Sequence, residues 1–456
     1  MGAGKSALGP QIARRLGRRF LEVDRALERT FGRAIPEIFA DEGEERFRAE
    51  ETEHAIAALR DGEPAVIELG GGAVESAAIR EELGRRAFTV HLDVDPDTAW
   101  ERVRDGDRPL AGDEQEFHAL YERRRPLYVE ASDAAARDAD DVVLVAAGVR
   151  LAPGLLELLA TLVARSAPAA LVTDPHVAGI HGAAAQLALG DILESTHEVP
   201  AGEEAKTPAV AERLWRELRV PREGVLVALG GGCVSDVTGF VAATYLRGVP
   251  WVAVPTTLVS QVDAAIGGKT GIDLPAGKNL VGAFHWPLRT VIDPAVLETL
   301  PERERREGLA EVVKTGLLAG EALWELPQME LVRRCAAFKA AVCLRDPYDR
   351  GERHILNLGH TFAHALEAAA SYEGVTHGTA VALGLRAALR LSGRPTDVVD
   401  ELLSPKPVRV DPERAWAALH RDKKRGLVLL GDDGPRWDVH VPDEDVRRAL
   451  DELIAD

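Results

Sequence analysis

The stretch VPTTLVSQVDAAIGGKTGIDLPAGKNLVGAF, residues 254–284, decides how this chain is read. Thr256, Thr257, Asp263, Lys269, Lys278 and Asn279 fall within 24 residues, with few apolar positions to spare. A run so polar and glycine-rich makes a poor core, because every buried polar group needs a partner. It is expected to be a site loop, and the segments on either side say what it connects.

On its N-terminal side lie short apolar runs bounded by turn residues: VVLVAA (142–147), AALVTD (169–174), GVLVALGGG (224–232) and WVAVPTT (251–257). RTVIDP (289–294) follows it. All five read as strands. Gly231 and Gly232 follow one of them, where bare backbone can approach a pyrophosphate. The run is not G-x-G-x-x-G, so alone it is a weak signal. From residue 296 the pattern turns helical: ERERREGLAEVVKTGLLAG, ELVRRCAAFKAAVCLRD, FAHALEAAA, GTAVALGLRAALRL and PERAWAALHRDKK. The second half is therefore expected to be an α/β domain over 142–295 followed by an all-helical domain over 296–456.

Within those helices Glu311 and Lys314 stand one turn apart on one face. His360 and His364 are spaced i, i+4, and His377 follows in THGTAV. Taken singly, each has a bland reading, a surface salt bridge or a satisfied polar side chain. His360 and His364 could suggest a zinc pair, but the central Glu of H-E-x-x-H is absent.

Residues 1–140 alternate helix and strand signals, which imply a parallel sheet covered on both faces. FLEVD (20–24), PAVIEL (64–69) and AFTVHLDV (87–94) read as strands, and AIPEIFADEGEERFRAEETEHAIAAL as a long helix. The chain opens MGAGKS, the end of a G-x-x-x-x-G-K-[ST] phosphate loop without its first Gly or the strand before it. Such a loop cradles phosphates on its N–H groups, with Lys5 at the β/γ-phosphates and the Ser6 hydroxyl on Mg²⁺. IELGGGAV and VALGGGCV look alike, but the likeness stops there, and no internal repeat is read. The polar run SDAAARDADD (132–141) is expected to join the halves.

The whole chain sets outer limits. Its 456 residues suffice for two or three domains. Its net charge of −19 disfavours nucleic acid or an anionic membrane as main partner. Three cysteines (Cys233, Cys335, Cys343) form no disulfide framework, no apolar run is long enough to span a bilayer, and no signal peptide is read. A cytoplasmic protein is expected.

From about residue 142 onward the motifs GGGCVSDVTGF, VPTTLVSQVDAAIGGKTGIDLPAGKNLVGAF, GLAEVVKTG, NLGHTFAHALE and THGTAV are closely similar to 3-dehydroquinate synthases. The resemblance implies metal ligation by Glu311, His360 and His377, not His364, with Zn²⁺ (or Co²⁺) as the ion. It places Asp174, Glu203, Lys206, Gly231, Gly232, Asp236, Thr256, Thr257 and Lys278 on NAD positions. Asp263, Lys269, Asn279, Lys314, Lys339, Arg353, Asn357, His364 and Lys424 (or Lys423) fall on substrate positions. Arg247 is expected to reach the substrate phosphate, across the interface of a homodimer built through this half. The chain departs from the family pattern in a broken DPYDRGER, in Thr379 after His-Gly, and in His176. The implied reaction cyclises 3-deoxy-arabino-heptulosonate 7-phosphate. Oxidation by NAD⁺ acidifies the neighbouring C–H, phosphate leaves by β-elimination, the hydride returns, and the opened ring closes by aldol addition. His364 is the candidate for assisting proton transfer at the departing phosphate.

In the first half FLEVDRALERTFGRAIPEIFADEGEERFRAEE, ELGGGAV, DRPLAG and YERRRPLY resemble shikimate kinases in order and spacing. That resemblance implies ATP with Mg²⁺ on Gly4, Lys5 and Ser6, and shikimate on Asp24, Arg48, Gly71, Gly72 and Arg124. Arg48 and Arg124 suit a carboxylate clamp. Asp24 would orient the attacking hydroxyl, and Arg108 would close over ATP. Glu22 stands where the family usually has Asp. The family's first strand is absent from the sequence read here. The chain as given is therefore expected to have synthase activity and little kinase activity, restored by about ten upstream residues encoding that strand. The rival readings are a synthase with a non-catalytic kinase-like appendage, and a metal-dependent NAD polyol dehydrogenase.

Overall fold

The computed structural model describes residues 2–104, 113–163, 167–371, 374–422 and 426–455. The chain divides into two compact units, Met1–Ala146 and Ala147–Asp456.

In the first unit the helix Lys5–Leu16 buries Gly9, Ile12, Ala13 and Leu16, and ends on Gly17 in the left-handed region. Gly9 is required by contact, since a Cβ there would sit 2.4 Å from the Phe20 ring. Strand β1 (Arg19–Glu22) pairs in parallel with β2 (Ala65–Glu68). Strand β3 (Val90–Leu92) pairs in parallel with β4 (Ala134–Ala136). Among the described residues no ladder joins β2 to β3, so the four strands form two separate pairs. FLEVD is a strand only to Glu22, because Val23 and Asp24 already open the helix Val23–Phe31. The long helix Ile35–Arg60 forms as read, with a break at Gly43 (φ 80°).

VVLVAA is not a strand. All of it but Ala147 lies in the helix Ala139–Ala146. Asp138 starts that helix, its carboxylate accepting from the Asp141 N–H at 3.0 Å and its carbonyl from the Val142 N–H at 3.1 Å. A six-residue apolar run fits a buried helix as well as a strand, and the acidic residues before it decide the matter.

The second unit is built on a six-stranded parallel sheet ordered β5 (Val149–Leu151), β12 (Arg289–Ile292), β9 (Trp251–Pro255), β8 (Val225–Gly230), β6 (Ala169–Thr173) and β7 (Leu193–Glu198). Side chains alternate between two cores. Ala170, Val172, Leu226 and Ala228 enter one, while Ala169, Leu171, Val225, Val227 and Leu229 enter the other. The order reverses between β6 and β8, so a crevice is expected at their carboxyl ends.

The stretch 254–284 is only partly a loop. Lys269–Leu274 (β10) and Gly277–Phe284 (β11) form an antiparallel hairpin. Glycines allow it, because a Cβ on Gly282 would sit 2.3 Å from the Thr270 carbonyl oxygen. The C-terminal region is helical but not all-helical. Leu427–Gly431 (β13) and Gly434–Val439 (β14) form a second hairpin, turned through Asp432 and Asp433. Its core-facing Leu427, Val428 and Leu429 join the cluster that packs the helices. Among the described residues no helix is long and apolar enough to cross a membrane.

Candidate active sites

Three helices converge in the second unit, and glycines set how closely they meet. A Cβ on Gly384 would lie 2.0 Å from the Gly359 carbonyl oxygen, so the helices His360–Ala369 and His377–Leu391 touch backbone to backbone. A Cβ on Gly378 would lie 2.6 Å from the Glu307 Cα, which seats the start of the latter helix on Glu302–Ala319. These two contacts bring His360 and His377 over Glu311. The Nε2 atoms of His360 and His377 lie 3.4 and 3.3 Å from Glu311 Oε1. The ligand atoms of all three residues fall within 4.8 Å of one another. Two imidazoles and one carboxylate make a donor set suited to a catalytic Zn²⁺ or Co²⁺ with one position open. The His377 side chain is 41% exposed and that of His360 12%, so the set is reached from the His377 side.

Each imidazole is held from behind. His360 Nδ1 lies 3.2 Å from the Leu358 carbonyl, and His377 Nδ1 lies 3.3 Å from Glu367 Oε1. Such contacts fix the tautomer that leaves Nε2 free for a ligand role. His364 stacks edge-on to His360 at 5.6 Å between ring centroids and is not one of the three donors.

Beside this set lies a buried charge network. Lys314 Nζ sits 2.5 Å from Glu311 Oε2 and 2.8 Å from Asp263 Oδ2. Lys339 Nζ donates to the Asp263 carbonyl at 2.8 Å and also pairs with its carboxylate. Burial alone would raise Glu311 and lower Lys314. The pairing outweighs it, holding the Glu311 carboxyl well below its ordinary range and raising the Lys314 ammonium. Burial, with Lys314 adding to it, lowers His360, so its imidazole stays neutral. Arg353 is buried, with Nη2 donating to the Gly267 carbonyl at 2.9 Å and Nε left without a partner. Lys269 pairs with Asp349 at 2.6 Å. Asn357 closes the short 3₁₀ turn Glu352–Asn357, three residues before His360.

A second cluster lies on the nucleotide side. Lys206 Nζ contacts Asp236 at 2.8 Å, Asn279 Oδ1 at 2.5 Å and Glu203 at 3.7 Å. Lys278 reaches Glu203 at 3.0 Å and Glu367 at 3.9 Å, linking this cluster to the His377 support. Asn279 adopts φ 54°, and its N–H donates to Asp273 at 2.7 Å. Gly231 and Gly232 start the helix Gly232–Thr244 at the end of β8, and Thr256 follows β9. The Thr256 hydroxyl is buried without a partner, and a Cβ on Gly231 would stand 3.2 Å from Thr257. Backbone donors at a helix N-terminus, bare glycines and an unsatisfied hydroxyl beside the sheet's reversal fit a dinucleotide pyrophosphate. Asp174 follows β6, but its carboxylate caps the next turn, accepting from the His176 and Val177 N–H groups at 3.0 Å. Arg247 stands exposed in a turn where it and Leu246 both have positive φ, 67° and 50°. Lys424 and Lys423 lie outside the described residues.

In the first unit Gly4 (φ 82°) caps the helix that starts at Lys5. The Ser6 hydroxyl donates to Glu68 Oε1 at 2.9 Å. Arg48 pairs with Glu51 at 2.5 Å, and buried Arg124 pairs with Glu75 at 2.7 Å. Gly70 and Gly72 make room: a Cβ on Gly70 would lie 3.1 Å from Asp24 Oδ1, and one on Gly72 2.2 Å from Arg48 Nη1. The Tyr128 hydroxyl donates to the Gly71 carbonyl at 2.6 Å. Glu44, Arg48, Glu51, Gly72 and Glu75 line a cavity of about 270 Å³. Arg108 lies outside the described residues.

Sequence reasoning passed over Glu367, Asp349, Glu51 and Glu68. Glu367 could have been found from helical spacing, since it follows His360 at i+7 and His364 at i+3. Glu68 is the one charged residue of β2. Asp349 and Glu51 gave no such signal.

The two units thus present different kinds of site: a phosphate loop at a helix N-terminus in the first, and in the second a crevice at the end of a parallel sheet opening on a His₂-carboxylate set. That defines a two-enzyme chain, a P-loop kinase followed by a metal- and dinucleotide-dependent lyase. The shikimate kinase family matches residues 1–148. The 3-dehydroquinate synthase N-terminal and C-terminal families match residues 196–307 and 308–425. The chain is 35% identical over 413 residues to the bifunctional shikimate kinase/3-dehydroquinate synthase of Thermotoga maritima, covering 84% of this chain and 82% of that one. It is 43% identical over 308 residues to the 3-dehydroquinate synthase of Symbiobacterium thermophilum, covering 59% of this chain and 86% of that one. The chain belongs to the bifunctional shikimate kinase/3-dehydroquinate synthase family. Among solved structures, 2-deoxy-scyllo-inosose synthase complexed with carbaglucose-6-phosphate, NAD⁺ and Co²⁺ matches at TM-score 0.60 and 25% identity, over 66% of this chain and 95% of that one. The 2-epi-5-epi-valiolone synthase of Streptomyces hygroscopicus subsp. jinggangensis, with NAD⁺ and Zn²⁺ bound, matches at TM-score 0.60 and 26% identity, over 67% and 96%. Family membership sets the polyol dehydrogenase reading aside.

Proposed function

We propose that the second unit converts 3-deoxy-arabino-heptulosonate 7-phosphate to 3-dehydroquinate and phosphate, and that the first phosphorylates shikimate from ATP. The observation that carries the first claim is the convergence of Glu311, His360 and His377 beside the Asp263–Lys314–Lys339 network. Those three residues would hold a divalent metal, which would supply Lewis-acid polarisation of a substrate hydroxyl, and Gly231, Gly232, Asp236, Thr256 and Thr257 would hold NAD⁺, which would supply reversible hydride chemistry. The remaining work falls to the chain's own groups. Lys314 keeps Glu311 ionised and presents an ammonium to the substrate. Lys269, Asn279, Lys339 and Arg353 set positive charge and donors around the phosphate and carboxylate. His364, beside His360, handles the proton at the departing phosphate. Asp174, Glu203, Lys206 and Lys278 shape the nucleotide side. Arg247 serves the substrate phosphate of a second copy, which makes the working unit a homodimer.

In the first unit Gly4 and Lys5 hold the nucleotide phosphates. Arg48 and Arg124 clamp the shikimate carboxylate, Gly71 and Gly72 let the ring approach, and Asp24 orients the attacking hydroxyl. A second reading, favoured by the separation of β1–β2 from β3–β4, makes this unit a non-catalytic appendage. Two assays on one preparation test both halves. Phosphate and dehydroquinate should form in equal amounts without NADH accumulating at 340 nm. Shikimate-dependent ADP release is the corresponding assay of the first unit. Steady NADH release would sink the synthase reading, and a lack of ADP release would leave the appendage.

A further inference from the structure

Glu75 stands where the shikimate clamp needs a free guanidinium. It ends the 3₁₀ turn Ala73–Glu75, just after Gly71 and Gly72. Ala73 and Val74 are buried, which leaves Glu75 as the polar end of that turn. Its carboxylate joins two successive arginines of the helix Glu114–Ala131. Glu75 Oε2 lies 2.7 Å from Arg124 Nη2, and Oε1 lies 3.3 Å from Arg123 Nη2. The two guanidiniums are not equivalent. Arg123 is exposed, whereas Arg124 is buried and its Nε has no hydrogen-bond partner. A carboxylate can accept two parallel N–H bonds from one guanidinium, so Glu75 satisfies Arg124 only in part. Burial alone would raise the Glu75 carboxyl, but the two arginines outweigh it and hold it below its ordinary range. Glu75 is therefore an anion at neutral pH.

The cavity of about 270 Å³ shows what this contact does to an incoming ligand. Arg48 and Glu75 are in its wall, while Arg124 is not among the described residues that line it. A carboxylate entering the cavity meets Arg48 directly and reaches Arg124 only past Glu75. Glu75 can yield, because its side chain is 31% exposed and Arg123 holds its other oxygen. We propose that Glu75 is a displaceable occupant of the carboxylate position on Arg124, and that it sets how tightly the first unit takes its acidic substrate. The inference rests on the reading of this unit as a shikimate site. The opposite role would be a support, with Glu75 holding Arg124 in the pose the substrate needs. Removing the Glu75 charge separates the two by sign.

The test titrates shikimate, and separately its uncharged methyl ester, into the full chain by calorimetry. A guanidinium held about nine-tenths of the time by an internal carboxylate weakens apparent affinity about tenfold. Glu75→Gln keeps the side chain's size and drops its charge, so it should bind shikimate about tenfold more tightly. Glu75→Ala should tighten binding as well. Methyl ester affinity should move by less than about twofold in both variants, because an ester does not compete as an anion for Arg124. Unchanged shikimate affinity in Glu75→Gln would overturn the proposal. Weaker shikimate binding would overturn it too, by showing that Glu75 supports Arg124. An equal gain for acid and ester would do the same, since that marks a general opening of the cavity. If neither the unaltered chain nor either variant binds shikimate or its ester, the shikimate reading itself fails and takes the proposal with it.

Discussion

The two parallel-strand regions of this molecule differ sharply in how they are covered. In the second unit every residue of β6, β8 and β9 is buried. In the first unit β2 and β3 have no fully buried residue, and Ile67 is only half-buried. Parallel strands are normally sandwiched on both faces, with each apolar Å² removed from water contributing about 25 cal/mol. The second sheet meets that condition and the two short pairs do not. Both regions nonetheless carry reactive groups at the carboxyl ends of strands, so the two sites rest on supports of unequal strength.

The largest effect expected on either side of this comparison comes from the metal set. His377→Ala should remove stoichiometric zinc and abolish synthase turnover. Several kcal/mol of electrostatic stabilisation are lost, about 10³ or more in rate. Shikimate-dependent ADP release should be untouched, because none of its groups lies in the second unit. Zinc analysis alongside both assays checks this. Retained stoichiometric zinc in the variant would remove His377 from the ligand set.

Smaller, and aimed at the supports themselves, is a pair of truncations. Leu229 is fully buried in β8, and Leu229→Ala should cost about 2–5 kcal/mol. Ile67→Ala, at a half-buried position in β2, should cost about 1–2 kcal/mol, below the range for a fully buried side chain. Urea unfolding, followed by hydrogen exchange within each unit, separates the two. The same experiment on the unaltered chain should show β1–β4 exchanging before β6, β8 and β9. Equal costs, or equal protection, would mean that the exposed faces of the first pairs are covered in solution.

This unevenness also explains what could be read from the sequence. The central strands of the second unit were legible because continuous apolar runs such as VLVALG admit few other readings. Glu311 and Lys314 were legible because helical spacing alone puts them on one face. VVLVAA failed the same test, since its periodicity fits either element and only the Asp138 cap resolves it. The hairpin β10–β11 was hidden by its glycines, whose role is to let strand backbones approach. The hairpin β13–β14 did carry a legible turn, Asp433-Gly434 between apolar runs, that was overshadowed by the helices around it. Pairings such as Lys206 with Asp236, or Lys269 with Asp349, join residues far apart in the chain and leave no local periodic trace.

The smallest effect expected separates support from ligation within the stronger site. His360 and His377 are held differently, one by the Leu358 carbonyl and the other by the Glu367 carboxylate. A carbonyl accepts the Nδ1 proton and adds no net charge. A carboxylate accepts it and also makes the ring a better donor at Nε2. Lys278, 3.9 Å from Glu367, competes for the same oxygen and ties this support to the nucleotide cluster. Glu367→Gln preserves size and can still accept the proton, so the fold should hold, but the charge is gone. Zinc affinity, measured by competition with a chromogenic chelator, should fall about tenfold. The Co²⁺-loaded variant should show a shifted d–d absorption, because the donor strength of one imidazole has changed. A purely structural Glu367 would leave that spectrum unmoved. Unchanged zinc affinity and an unchanged cobalt spectrum together would mean that a neutral hydrogen bond serves His377 as well as it serves His360, and that the two supports differ in form without differing in effect.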